Sequence, residues 1–98
     1  MLPSRATQQG VKKIDPERLV RDVGRRIGEL RADKDMTQEA LATAAGVGTR
    51  YVQRVEAGRE NLTIRSLALL ASVLRVSVRE LFEVVSRSMW KRRDAASA

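Results

Sequence analysis

Residues 37–58, TQEALATAAGVGTRYVQRVEAG, predict two short helices joined by a glycine turn. Thr37 suits an N-cap, and residues 38–45 are all favourable or tolerable in a helix. Gly46 stands where the first helix must end in left-handed backbone, which glycine adopts without steric cost. A second helix follows and ends at Gly58. Few arrangements other than a tight helical hairpin fit this pattern.

The second helix of the hairpin has an apolar and a polar face. Val52 and Val55 share the apolar face. Arginine can bind guanine with two hydrogen bonds and glutamine can bind adenine, so the polar side chains are chemically suited to DNA bases. The pattern predicts a helix-turn-helix, whose second helix lies in the major groove. The alternative is an αα-hairpin in an ordinary bundle, with a merely solvated polar face. The candidate base contacts are Thr49, Arg50, Gln53 and Arg54.

One sequence pattern, a hydrophobic staple around an N-cap, marks each predicted helix start. It consists of an apolar residue, a capping residue, and a second apolar residue four positions into the helix. It recurs at Ile14-Asp15 with Leu19, Met36-Thr37 with Leu41, Val47-Gly48 with Val52, Leu62-Thr63 with Leu67, and Val76-Ser77 with Leu81. The predicted helices span 16–32, 38–45, 49–57, 64–74 and 78–86. We therefore expect an all-α fold, a compact bundle of five short helices.

Helical spacing also predicts the core and the domain limits. The expected core side chains are Leu19, Val23, Ile27, Leu30, Leu41, Ala45, Val52, Val55, Leu67, Leu70, Ala71, Leu74, Val76, Leu81 and Phe82. We expect a flexible basic arm at 1–13, the helical domain at 14–90 and a disordered tail at 91–98.

Composition restricts the function. Lys and Arg number 19 against 12 Asp and Glu, a net charge of +7, which favours a polyanionic partner, either nucleic acid or an anionic membrane surface. No stretch is apolar enough to span a bilayer or to act as a signal peptide, so we expect a cytoplasmic protein. The chain has no Cys and no His, and it shows neither paired catalytic carboxylates nor a glycine-rich phosphate loop. We therefore expect no enzyme activity, no cofactor and no metal site.

A known family shares these features. The residues that carry the resemblance are Gln38-Glu39, Ala42, Gly46-Val47, Val52, Val55-Glu56 and Gly58. At these spacings the chain resembles the phage-repressor and Cro-type helix-turn-helix family, the XRE group. The resemblance extends from Arg25-Arg26-Ile27 to Leu81-Phe82. It implies a lambda-repressor-like bundle and a sequence-specific DNA-binding regulator of transcription.

The resemblance also implies roles for individual residues. Family positions matching Thr49, Arg50 and Arg54 commonly touch base edges, and the position matching Gln53 touches a base or the DNA backbone. Gln38 matches a glutamine that contacts the backbone. Arg31 and Glu56 match an arginine and a glutamate that can pair and tie the second hairpin helix to the first helix of the domain; two unrelated exposed charges are the alternative.

Further phosphate contacts are expected beside the hairpin. The loop after Gly58 supplies Arg59 and Asn61, and Arg65 lies in the first turn of the next helix, where free amides favour phosphate. Tyr51 is expected to make a packing or phosphate contact. Ordinary surface residues are the alternative for each of these.

The end of the chain has apolar side chains without a place in the core: Val84, Val85, Met89 and Trp90. At helical spacing they suggest a partner surface, and family members usually dimerise through this end, so we expect a homodimer. Trp90 folding back on its own domain is the alternative. We expect a regulator that occupies an operator or contacts RNA polymerase beside a promoter. An antitoxin-like protein–protein interaction module and a membrane-surface binder are the competing functions.

Two positions depart from the family pattern. Gly48 replaces the usual serine or threonine cap of the second hairpin helix. Arg75 replaces a glycine or asparagine, so either it is mildly strained in left-handed backbone or the turn differs.

Overall fold

A computed structural model describes residues 14–83, in which every regular element is helical. The elements are α1 (Pro16–Asp33), α2 (Gln38–Ala45), α3 (Thr49–Glu56), α4 (Ile64–Leu74) and a 3-10 helix (Val78–Phe82). All four α-helices begin at the predicted residues and end within one residue of the predicted ends. Across residues 14–83, no helix combines the length and apolar character that crossing a membrane requires.

Side-chain caps explain why the helices begin where they do. Asp15 accepts a hydrogen bond from the Glu17 amide at 3.0 Å at the start of α1. Thr37 Oγ1 accepts from the Ala40 amide at 2.9 Å, and Thr63 accepts from the amide of residue 66 at 3.0 Å. Each bond satisfies an amide that has no partner inside its helix. The predicted caps are therefore confirmed, including Gly48, which begins α3 without a side-chain bond.

The fifth element differs from the prediction. Ser77 and Glu80 form the expected capping box, but the helix that follows is a 3-10 helix and ends at Phe82. The Glu83 amide bonds to the Glu80 carbonyl at 3.3 Å, three residues back rather than four. Leu81 is the one buried side chain of this element. A short 3-10 helix is sufficient to place this single side chain in the core. The predicted residues 84–86 lie outside the described range, as do the proposed arm, tail and dimer residues.

One contiguous core joins all five elements. Thirteen buried apolar side chains form it. They are Val23, Ile27, Leu30, Leu41, Ala42, Ala45, Val52, Val55, Leu67, Leu70, Ala71, Leu74 and Leu81. Val76 is half-buried against it.

Two predicted core residues are exposed. Leu19 is 43% exposed and Phe82 is 46% exposed. Both lie at the edge of the bundle, where they line an open apolar groove together with Val20, Val23 and Leu62. Leu19 is less than one turn from the start of α1. The other helices cover the apolar face of α1 further along but do not reach this first turn. Apolar spacing identified the correct face but not where the covering elements end.

Arg26 is buried although it is charged. Its side chain is 3% exposed, and Nε donates a hydrogen bond to the Glu80 carbonyl at 3.2 Å. Nη1 lies 3.6 Å from Glu29 Oε1 and makes no hydrogen bond. Arg26 lies three residues after Val23 and one before Ile27, on the same helical stripe, so the spacing could have identified it. The guanidinium joins α1 to the 3-10 helix.

Candidate nucleic-acid interface

The turn between α2 and α3 sets the direction of α3. Gly46 has φ 71° and ψ 31°, the left-handed conformation predicted for this position. The Val47 amide then bonds to the Ala42 carbonyl at 3.0 Å, which closes the end of α2. Val47 packs half-buried against the core. The turn therefore holds α3 against α2 as the helix-turn-helix pattern requires.

The inner face of α3 lies unusually close to α1. Val52 and Val55 are each 1% exposed. Gly24 of α1 sits directly against the main chain of α3, and a β-carbon at Gly24 would overlap the Val55 carbonyl oxygen. Glycine is needed at this position for the close approach of two backbones.

The outer face of α3 is free of the bundle. Arg50, Gln53 and Arg54 are exposed, and Thr49 is half-buried at the start of the helix. The side chains of Arg50 and Gln53 form no hydrogen bond or ion pair with any other residue of the described range. Tyr51 is half-buried and packs against the core, which is one of its two predicted roles.

Three side chains join α1, α2 and α3 at one point. Arg31 Nε donates to Glu56 Oε2 at 2.7 Å, and Arg31 Nη2 donates to Glu56 Oε1 at 3.1 Å. Arg31 Nη1 donates to the Met36 carbonyl at 2.6 Å. Gln38 Nε2 donates to Glu56 Oε1 at 3.0 Å. The structure brings the sequence-predicted pair together and adds Gln38, whose link to Glu56 no spacing rule indicated.

Partial burial strengthens the attraction between the charges of Arg31 and Glu56. The Arg31 and Glu56 side chains are 19% and 11% exposed, so water screens their charges only in part. The hydrogen bond to Glu56 raises the pKa of Arg31 above its usual value, against a smaller lowering from burial. Arg31 therefore keeps its charge, and a bidentate ion pair with Glu56 ties α3 to the scaffold.

A second ion pair lies at the exposed end of α3. Arg54 Nη2 is 3.0 Å from Glu60 Oε1. Gly58 has φ 75°, and the Arg59 amide bonds back to the Arg54 carbonyl at 2.8 Å. This reversal returns the loop toward α3. The pairing was not predicted, because a separation of six residues across a turn matches no helical period.

The remaining phosphate candidates are on the surface. Arg59 and Asn61 lie exposed in the loop before α4, and Arg65 lies exposed in the first turn of α4. Gln38 is half-buried and already donates to Glu56. Within residues 14–83, no three acidic side chains are grouped in a way that could hold a metal ion.

Comparisons with known proteins agree with this arrangement. A family model described as helix-turn-helix matches residues 27–81. An uncharacterized HTH-type transcriptional regulator of Sinorhizobium fredii, y4dJ, is 39% identical over 59 residues, covering 60% of this chain and 77% of the relative.

Solved structures show the same similarity. The restriction-modification controller protein C.AhdI from Aeromonas hydrophila superposes with a TM-score of 0.63 at 38% identity, covering 64% of this chain and 96% of that chain. SinR, the master regulator for biofilm formation, solved in complex with DNA, has a TM-score of 0.58 at 35% identity, covering 60% of this chain and 95% of its own. The chain belongs to the helix-turn-helix family of transcriptional regulators of the XRE type.

Proposed function

We propose that this chain is a sequence-specific DNA-binding regulator of transcription that acts as a homodimer on an operator with two half-sites. The observation that carries the proposal is the outer face of α3. Arg50, Gln53 and Arg54 are exposed on it, while Val52 and Val55 bury the opposite face. A helix with this division can enter the major groove without losing core contacts.

The roles of the side chains follow from their positions. Thr49 and Arg50 are nearest the N-terminal end of α3, the part of a recognition helix that reaches deepest into the groove. Gln53 and Arg54 lie one turn later and reach bases toward the edge. Arg59, Asn61 and Arg65 contact phosphates on one side of the helix, and Tyr51 and Gln38 contact them on the other. The net charge of +7 supports a polyanionic partner.

The second half of the proposal is the dimer. A single domain of this size makes few phosphate contacts, and a two-fold pair doubles them over half-sites about 34–36 Å apart. The apolar Val84, Val85, Met89 and Trp90 supply the contact between the two copies. The protein then acts in the cytoplasm, by occupying its operator or by contacting RNA polymerase from a neighbouring site.

Selection of binding sites from random-sequence duplex DNA tests the proposal. Two similar half-sites about one helical turn apart are the expected result. Enrichment of a single half-site would contradict the dimer. No enrichment, together with salt-insensitive behaviour on heparin, would contradict DNA binding and favour the protein–protein interaction module.

A further inference from the structure

The ion pair between Arg54 and Glu60 has little to contribute to the stability of the fold. The Arg54 side chain is 55% exposed and the Glu60 side chain is 22% exposed. Water screens a pair this exposed, and holding two long side chains together costs entropy. The main consequence of the contact is therefore where it holds the Arg54 guanidinium.

We propose that Glu60 is a positioning residue that orients Arg54 for reading a base, and that it thereby sets part of the sequence preference of α3. This inference rests on the proposed function, because it requires the outer face of α3 to lie in the major groove.

The contact leaves Arg54 able to bind a base. The contact with Glu60 is made by Nη2, at 3.0 Å, and neither Nε nor Nη1 donates a hydrogen bond within residues 14–83. A guanidinium has five N–H donors in a fixed plane. Glu60 can therefore hold one edge of the plane while two other donors face the O6 and N7 acceptors of a guanine.

The backbone around Glu60 holds in place the loop that carries its carboxylate. Gly58 adopts left-handed backbone, and the Arg59 amide bonds to the Arg54 carbonyl at 2.8 Å. The loop is thus fastened to the end of the helix that carries Arg54. Because the free protein already restrains the arginine, less side-chain entropy is lost when it meets a base.

The negative charge of Glu60 adds a second contribution. A carboxylate beside Arg54 repels phosphates and so weakens contacts in which Arg54 would only meet the DNA backbone. A correctly placed guanine can still accept hydrogen bonds from the remaining N–H groups of Arg54. Glu60 therefore increases the difference in binding affinity between the correct sequence and other sequences.

The experiment compares two duplexes of equal length, one enriched by the wild-type protein from a random library and one of random sequence. The ratio of their dissociation constants is the selectivity. Glu60→Ala removes the contact, and Glu60→Asp keeps the charge but shortens its reach. Glu39→Ala, at an exposed position in the first turn of α2, is the matched control for loss of one negative charge.

We expect Glu60→Ala to lower the selectivity about threefold to tenfold and Glu39→Ala to leave it unchanged. Glu60→Asp should also lower selectivity, without tightening binding to the random duplex. In an Arg54→Ala background, Glu60→Ala should have no effect on selectivity.

A loss of selectivity that persists without Arg54, or that Glu39→Ala reproduces, would overturn the inference while leaving DNA reading by α3 intact. A wild-type protein that enriches no sequence would overturn the proposed function and this inference with it. Circular dichroism of each variant identifies any effect caused by unfolding.

Discussion

Arg31 of α1 donates two hydrogen bonds to the carboxylate of Glu56, the last residue of α3, at 2.7 and 3.1 Å. The same carboxylate accepts from Gln38 at the start of α2. Three helices therefore meet at one acidic side chain. Loss of Glu56 would leave Arg31 largely buried with a single carbonyl partner.

We expect Glu56→Ala to lower the free energy of unfolding by about 1–3 kcal/mol, because it leaves a partly buried charge without its partner. Arg31→Ala should have a similar effect, and the double mutant should show a coupling of about 0.5 kcal/mol or more. Urea denaturation measures all three variants. Arg50→Ala, exposed on α3, is the control. Strictly additive losses would contradict the coupling.

Arg50→Ala and Arg65→Ala should affect DNA binding in different ways. We expect the first to weaken binding to the selected sequence by about 1–3 kcal/mol and to relax preference at one or two base pairs. The second should weaken binding to all sequences and reduce the salt slope by about one. Titrations at several salt concentrations separate the two effects. Loss of sequence preference in both variants would show that the roles are wrongly assigned.

Arg75 offers a test of backbone strain. It has φ 61° and ψ 41°, left-handed backbone at the end of α4, so the first of the two expected alternatives holds. Arg75→Gly should relieve about 1–2 kcal/mol of strain and lose about 0.4–1 kcal/mol through a more flexible unfolded chain. We expect a small net increase in unfolding free energy. A decrease would show that the arginine side chain contributes packing that outweighs the strain.

Two glycines of α1 provide a matched pair. Gly24→Ala should destabilise the fold by about 1–3 kcal/mol, because the new β-carbon meets the rigid Val55 carbonyl. Gly28→Ala makes the same change one turn later, where the nearest atom is the Glu56 side-chain oxygen at 3.0 Å. A side chain adjusts more easily than a main chain, so its effect should be smaller. Thermal unfolding compares the two, and equal losses would contradict the backbone contact.

The dimer is tested by placing charge in its expected interface. Val84→Asp and Met89→Asp should convert a dimer into a monomer, since an unpaired carboxylate is costly to bury between two copies. Analytical ultracentrifugation gives the mass of each variant. Variants that stay folded and dimeric would locate the interface elsewhere.

Local rules predicted most of the fold because the signals are local. The caps Asp15, Thr37 and Thr63 each bond to amides two or three residues away, so the sequence contains both partners of the interaction. The exposure of Leu19 and Phe82 depends on which distant elements cover the edge of the bundle. Periodicity carries no information on that.

In the candidate nucleic-acid interface, too, some features follow from local spacing and others depend on the three-dimensional fold. Which residues lie on the outer face of α3 follows from helical spacing alone. Gln38–Glu56 and Arg54–Glu60 could not be predicted in this way, because each joins residues across a turn. The turn at Gly46 or Gly58 must be built in three dimensions before those side chains meet.

The close approach of Gly24 to Val55 has a consequence for how such a protein can change its target. The inner face of α3 is fixed by main chain and by two valines, and none of these belongs to the outer face. If α3 reads bases as we propose, exchanging Arg50 or Gln53 would therefore change the target sequence without repacking the core. Arg54 is different, because a new residue there must also suit Glu60. New binding specificities should consequently be found most easily by varying Arg50 and Gln53 while Arg54 and Glu60 are kept.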